Sequence, residues 1–463
     1  KSKGVGEAEM RLMRGASLAA APLLLCSLAG AVRLSPARVP ARTPPPHALL
    51  AEAAQAAAPP EWLAPAAGTA LLGILGYLGA TNQLWNPTTG AILPLLFLSG
   101  DSEKLAESGA TTVQNEALKK FALSVTPSAW KKAYQGVDDE GVRLDPKTGE
   151  AIEGPPPLLD LPAWQGDEAR ELIEPEAVAV VKAMELEPID VASVGPVDTC
   201  FVSMAPDKPA DAPPLMLIHG FDSSVLEFRY VMPKLVEAGL RVEAMEWWTG
   251  GFTAREPFTK LIEQEEAKPW DLIREHQYAF WKRQLKGEKA VVLGASLGGA
   301  VALDFAAKHP ECVEALILMD AGGESYAQPD PWLTSLCADP VTNLFQWRAT
   351  NGLLPYPHVW AKEAGWRQAL RAYLKSGGYQ AVVGPQLIRT IAPPTYVLWG
   401  EEDDVLPVED LYKYEADLPN CKAAVLIPDA QHAPALENPA FVSERIIEFT
   451  MAAAAERELP SAI

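Results

Sequence analysis

The sequence predicts an α/β fold built on a mostly parallel central sheet, and three observations carry that reading. From Thr199 onward, short apolar runs alternate with longer amphipathic stretches. Within that rhythm the pentapeptide Gly294-Ala295-Ser296-Leu297-Gly298 joins an apolar run at 290–293 to a helical pattern ending near His309-Pro310. Two later apolar runs open into turn residues, one rich in carboxylates and one carrying a histidine.

Taken in order, residues 200–204 form a candidate early strand, and 215–218 a strand ending in the turn His219-Gly220-Phe221-Asp222. Phe228, Val231, Met232, Leu235 and Val236 give 225–238 helical spacing, which Gly239 ends. Strands at 240–247, 290–295, 313–319, 395–399 and 422–427 follow, with an amphipathic helix at 270–285 and a closing helix at 441–453. Strands separated by helices imply right-handed crossovers and a ligand site at the strands' carboxyl ends. The rhythm breaks between Met319 and Thr395. There, Trp332, Phe345, Trp347, Tyr356, Trp360, Trp366 and Tyr373 suggest a helical lid, 323–390. Trp248, Trp332 and Trp360 are the candidate pocket residues.

The region before 190 differs in character. Residues 1–9 precede Met10 and read as a translated upstream piece or the tail of a fragment. Arg11 and Arg14, an apolar run at 19–28 and small residues at 28–31 read as a secretory-type signal peptide. Arg33, Arg38 and Arg42 follow, with no acid between Glu9 and Glu52. That order resembles the bipartite presequence of algae with secondary plastids, so 10–50 is taken as a signal and transit presequence; the alternative address is the secretory pathway. No charged residue lies between Glu61 and Asp101. One membrane span, a membrane hairpin and an apolar helix docked on a soluble domain all fit that segment, 61–100. Residues 101–190 read as an acidic linker with short helices, the last of them over 167–188.

Composition excludes some functions. A net charge of −21 and a pI near 4.8 argue against nucleic acid as a partner. The five cysteines are scattered, without C-x-x-C, so no disulfide framework or zinc site is expected, and neither cofactor nor metal is implied.

The pentapeptide suits a nucleophile elbow, in which glycines let strand and helix approach while a serine takes strained backbone geometry. A serine hydroxyl needs a histidine to accept its proton, and the histidine needs an acid to hold its tautomer. His432 follows the last strand; the other five histidines sit in the presequence, a strand-turn motif, helices or the insertion. Glu401, Glu402, Asp403 and Asp404 follow the preceding strand, and Asp403 has the best register, with Asp404 and Asp320 as alternatives. The amides of Phe221 and Leu297 are the candidate oxyanion donors.

Together His219-Gly220, the Ser296 elbow, Gly400-x-x-Asp403 and His432 resemble the α/β-hydrolase superfamily over residues 199–455. Leu217 through Ser224, Leu226-Glu227-Phe228-Arg229-Tyr230 and Ser376-Gly377-Gly378-Tyr379 resemble plastid-type hydrolases of plants and algae, with pheophytinase-like enzymes as broader neighbours. The resemblance implies an α/β-hydrolase fold, with core at 191–322 and 391–458. It also implies hydrolysis of a carboxylic ester in a plastid, without fixing whether the substrate is a lipid, a pigment or another apolar ester; the uncharged segment 61–100 adds the expectation of a thylakoid or other plastid membrane nearby. Serine at 296 argues against the aspartate-based chemistry of epoxide hydrolases and haloalkane dehalogenases. One stretch departs: relatives usually carry Asp and then Gly-x-Gly-x-Ser, where this chain reads Glu246-Trp247-Trp248-Thr249-Gly250-Gly251-Phe252-Thr253. The rival expectations are a non-enzymatic membrane-complex subunit and an acyltransferase or lyase on the same scaffold.

Overall fold

A computed structural model describes residues 158–323, 338–339, 342, 359–360, 363–377 and 382–458. The presequence, the apolar segment 61–100, most of the linker and Trp332 lie outside the described residues.

The described residues form an α/β fold around one sheet, as the alternation of strands and helices predicts. Its sheet has eight strands in the order β1-β2-β4-β3-β5-β6-β7-β8. The strands are β1 (Met184–Val191), β2 (Gly195–Met204), β3 (Leu215–Ile218), β4 (Val242–Met245), β5 (Ala290–Ala295), β6 (Val313–Met319), β7 (Thr395–Gly400) and β8 (Cys421–Ile427). β2 runs antiparallel to both β1 and β4; every other pairing is parallel.

Alternation along the central strands fills two cores. Leu215 and Leu217 of β3, Val291 and Leu293 of β5 and Ala315 and Ile317 of β6 enter one buried cluster. Met216 and Ile218, Val292, and Leu316 and Leu318 enter the other. Strands buried on both faces read as continuous apolar runs, which is why β3, β5 and β6 were visible in the sequence. Each Val, Leu, Ile or Met among them, once buried, contributes roughly 1.5–3 kcal/mol. Helices α1 (Pro175–Ala183), α2 (Met232–Glu237) and α8 (Pro439–Glu458) cover the first face through Val180, Leu235 and Ile446. Helices α3 (Glu256–Glu263), α4 (Pro269–Gln284), α5 (Leu297–Lys308) and α7 (Glu409–Asp417) cover the second through Phe258, Phe280, Phe305 and Tyr414. Helix α6 (Trp366–Lys375), in the β6–β7 insertion, gives Trp366 and Leu370 to the first cluster and Ala369 and Tyr373 to the second.

The structure differs from the sequence reading in three places. The sheet begins at Met184, so α1 and β1 belong to the fold and not to an acidic linker reaching 190. β1 is an edge strand with Pro188 in it, and its exposed residues include Glu185 and Asp190, so its period-2 signal is weak and its acids look helical. The helix expected over 225–238 is a 3-10 turn, Val225–Phe228, followed by α2, whose first turn holds Pro233, a residue that fits there because those amides have no intrahelical acceptor. The sequence reading also passed over α3, a short helix that starts with Glu256-Pro257. Among the described residues, no helix is long and apolar enough to cross a membrane.

Candidate active site

Ser296 sits between β5 and α5 with φ 52° and ψ −120°, a conformation that a residue with a side chain rarely adopts. Its amide donates to the Met319 carbonyl at 2.9 Å, and its own carbonyl accepts from Gly299 and Gly322, both at 2.9 Å. These bonds fasten the strained residue to the end of β6, the loop after it and the first turn of α5. The flanking glycines are required by contact: a Cβ on Gly298 would run into the Ile218 carbonyl, and one on Gly294 into the Gly298 carbonyl.

β7 and β8 end beside this turn, and the loops after them bring two side chains to it. His432 Nε2 lies 2.9 Å from Ser296 Oγ, and its Nδ1 lies 2.9 Å from Asp403 Oδ2 and 3.1 Å from Oδ1. The Asp403 side chain is fully buried, and Oδ1 also accepts the amides of Val405 at 2.8 Å and Leu406 at 2.9 Å. Burial alone would push the imidazolium of His432 down, but the charge and hydrogen bond of Asp403, then the charges of Glu227 and Asp404, raise its pKa above the ordinary 6.5. With Nδ1–H directed at the carboxylate, Nε2 is left as the acceptor for the serine hydroxyl.

The other described histidines are built into the frame. Burial lowers His219 to about 4 against the hydrogen bond its Nδ1 makes to the Gly220 carbonyl, and its ring stacks on Trp247. Burial likewise lowers His276 to about 3; its Nε2 contacts Thr199 Oγ1 at 2.8 Å. His309 stacks on Tyr278 at the end of α5.

Two loops meet at the nucleophile. A methyl group on Gly220 would stand 3.2 Å from Ser296 Cβ, so the turn after β3, which carries Phe221, runs alongside the elbow. The Leu297 amide opens α5 and has no intrahelical acceptor. The Phe221 ring leans on Tyr373 of α6, with centroids 6.2 Å apart. Of the sequence-assigned pocket residues, Trp360 is buried with Trp366 and Leu370 in the first cluster. Trp248 is stacked on Phe258 with no accessible surface, so it touches no water-sized space.

Glu227 was given no role by the sequence reading. Its Oε2 accepts the Gly220 amide at 3.0 Å, and the methyl position beside Ser296 Cβ is also 3.6 Å from this oxygen. Burial raises its pKa, opposed by bonds from Gly220 and Ser223. It lies in the 3-10 turn Val225–Phe228, where no periodicity marks a residue as facing a site.

Residues 215–445 match the model of a family described as Alpha/beta hydrolase family. The chain belongs to the α/β-hydrolase family. It is 29% identical over 270 residues to the alpha/beta hydrolase domain-containing protein VTE7 of Arabidopsis thaliana, covering 52% of this chain and 74% of that one. It is 28% identical over 253 residues to 2-hydroxy-6-oxo-6-(2'-aminophenyl)hexa-2,4-dienoic acid hydrolase of Metapseudomonas resinovorans, covering 51% and 83%. Among solved structures, a thermophilic esterase from Thermogutta terrifontis superposes with a TM-score of 0.47 at 20% identity, over 58% of this chain and 99% of that one. In this α/β-hydrolase, Ser296, Asp403 and His432 all fall within the matched stretch, in the chain order Ser, Asp, His.

Proposed function

We propose that this α/β-hydrolase is a serine hydrolase that cleaves a carboxylic ester of a lipid, pigment or other apolar compound through an acyl-enzyme. The observation that carries the reading is the unbroken line of hydrogen bonds from Asp403 through His432 to Ser296.

His432 Nε2 takes the Ser296 hydroxyl proton as Oγ attacks the ester carbonyl carbon, and the carbonyl oxygen becomes an oxyanion held by the Phe221 and Leu297 amides. Collapse of this intermediate breaks the bond to the alcohol, whose oxygen receives the proton from Nε2. Water then adds to the acyl group, giving its proton to the same nitrogen, and the acid leaves as Ser296 regains its hydrogen. Asp403 keeps Nδ1–H oriented and stabilises the imidazolium between the steps. Trp332 and Trp360 are assigned to the pocket for the apolar group, on the aromatic composition of the insertion.

A fluorophosphonate probe tests the chemistry. Wild type labels and Ser296→Ala does not; equal labelling of both would overturn the assignment. Incubation with extracted lipids and pigments, read by mass spectrometry, identifies the ester.

We place the protein in a plastid, against a membrane, on the basic acid-free stretch from Arg11 to Arg42 and the uncharged run after Glu61. Similarity to a plant protein supports that reading. Imaging a fluorescent fusion of residues 1–100 tests it, with retention in the secretory pathway as the opposing result.

A further inference from the structure

Asp320 follows β6 directly, and nothing in the proposed chemistry uses it. It is 1% exposed and holds φ 44°, a left-handed backbone that aspartate adopts at a cost. Its amide donates to the Leu398 carbonyl at 3.0 Å, and its Oδ1 accepts the Gly400 amide at 2.7 Å. Both bonds tie it to β7, three residues before Asp403. Its second oxygen, Oδ2, is buried and receives no hydrogen from any N–H or hydroxyl among the described residues. What this side chain does meet is the carboxyl group of Asp403.

Two buried carboxyl groups in contact cannot both be ionised at modest cost, and one proton between them converts repulsion into a hydrogen bond. The donors decide which group keeps the proton. Asp403 accepts two backbone amides and the His432 ring, all of which favour its anion. Asp320 accepts one amide. Burial, followed by the charge of Asp403, also pushes the Asp320 carboxyl well above the usual range.

We propose that Asp320 is a neutral carboxylic acid whose Oδ2–H donates to Asp403, making it a positioning residue that fixes the carboxylate against His432. The hydrogen bond supplies the buried oxygen with its missing partner and gives the strained backbone at 320 a purpose. Asp403 would then be clamped from three directions: its own loop amides, the imidazole and the end of β6. The inference rests on the reading of Ser296, His432 and Asp403 as the hydrolytic machinery.

The titratable groups facing Asp320 are Asp403, after β7, and Glu437, in the short helix after His432. Through Asp403 it is coupled to His432, on which Glu227 and Asp404 also act. Asparagine reproduces the proposed donor and acceptor: Nδ2–H for Asp403 and Oδ1 for Gly400. Asp320→Asn should therefore keep kcat/KM within about threefold of wild type and leave the acid limb of its pH profile in place. Asp320→Ala should lose about 10- to 100-fold and move the limb downward as the Asp403 carboxylate loosens from the imidazole. A limb that falls in Asp320→Asn would mean that an ionised Asp320 had been supporting the imidazolium, and would overturn the proposal; so would equal activity of the Asn and Ala variants. Infrared difference spectra of wild type minus Asp320→Asn at pH 8 give a readout independent of turnover and of whether the Ala variant folds. A protonated-carboxyl band in wild type supports the shared proton, and its absence refutes it. Probe labelling of Ser296→Ala, run alongside, reports separately on the hydrolytic reading itself.

Discussion

The indole N–H of Trp366 donates to Asp222 Oδ1 at 2.9 Å, joining the first turn of α6 to the loop that follows β3. Asp222 has φ 48° and is nearly buried, and Tyr373, two turns along the same helix, packs on both Phe221 and Trp247. Helix α6 is thus fastened to the loop that carries Phe221, one of the two residues whose amides are assigned to the oxyanion. Trp366→Phe keeps most of the buried ring and removes only the donor. A hydrogen bond to a carboxylate is worth about 1.5–3 kcal/mol, so we expect kcat/KM for a p-nitrophenyl ester to fall about tenfold. Unchanged turnover with a lowered melting temperature would show that the bond serves stability alone.

The electrostatics of His432 set the pH dependence. Burial disfavours its charged form, yet Asp403 and the neighbouring acids leave its pKa above 6.5. Below that value Nε2 is protonated and cannot take the serine proton, so kcat/KM should fall as pH drops through it. Asp403→Asn removes the largest stabiliser of the imidazolium. Its limb should shift to lower pH, and kcat should drop by about a thousandfold or more. A profile with an acid limb at ordinary carboxylate values would contradict the assignment of the base.

Glu243 of β4 makes a prediction about stability. Burial raises its pKa from 4.5 to about 7, against the hydrogen bond that Ser203 Oγ donates to Oε1 at 2.9 Å. The folded state therefore holds a proton that the unfolded chain releases. The stabilisation is complete below 4.5 and is lost as pH rises through about 7. Glu243→Gln keeps the acceptor for Ser203 without the charge. It should flatten the decline of melting temperature between those values and exceed wild type at pH 8 by on the order of 3 kcal/mol. Parallel pH curves for the two proteins would rule this out.

Arg229 and Glu174 form an ion pair at 2.9 Å with side-chain exposures of 0% and 2%. Glu174 is the residue before α1, so this pair, with the Tyr230 hydroxyl on the same carboxylate, locks the start of α1 onto the turn after β3. Arg229→Met leaves a buried carboxylate without its guanidinium and should cost about 3–5 kcal/mol in denaturant melts. The double variant Arg229→Met/Glu174→Leu should recover most of that loss. A double variant no more stable than the single would mean that the cost lies in packing and not in the stranded charge.

The elbow and the strand before it were legible because each depends on local pattern: a buried strand is apolar throughout, and the tight turn leaves glycine as the fitting residue at 294 and 298. β1 was hidden because an edge strand faces water and its outward acids mimic a helix. The Asp320–Asp403 contact was not legible, since residues far apart in sequence meet only once the sheet is assembled, and Glu227 was not because its 3-10 turn has no periodicity to mark the face it presents. The choice among Asp403, Asp404 and Asp320 shows the same limit. Register favoured Asp403, and the structure shows the imidazole bonded to it, but Asp320 also lies at the site, against the acid it had been ranked behind.

The crowding of backbone around the elbow has an evolutionary corollary. Gly294, Gly298 and Gly400 each stand where a single methyl group would strike a backbone oxygen of an adjoining segment. No neighbouring side chain can be trimmed to make room, so these positions offer no route to a new substrate. Variation that retunes specificity is expected instead in two segments outside the sheet, the stretch from Phe221 to Tyr230, which follows the turn beside Ser296, and α6, which packs on Phe221. A mutational library confined to those two segments should yield most of the altered-selectivity variants obtainable from this protein, while one spread over the strand ends should yield chiefly unfolded chains.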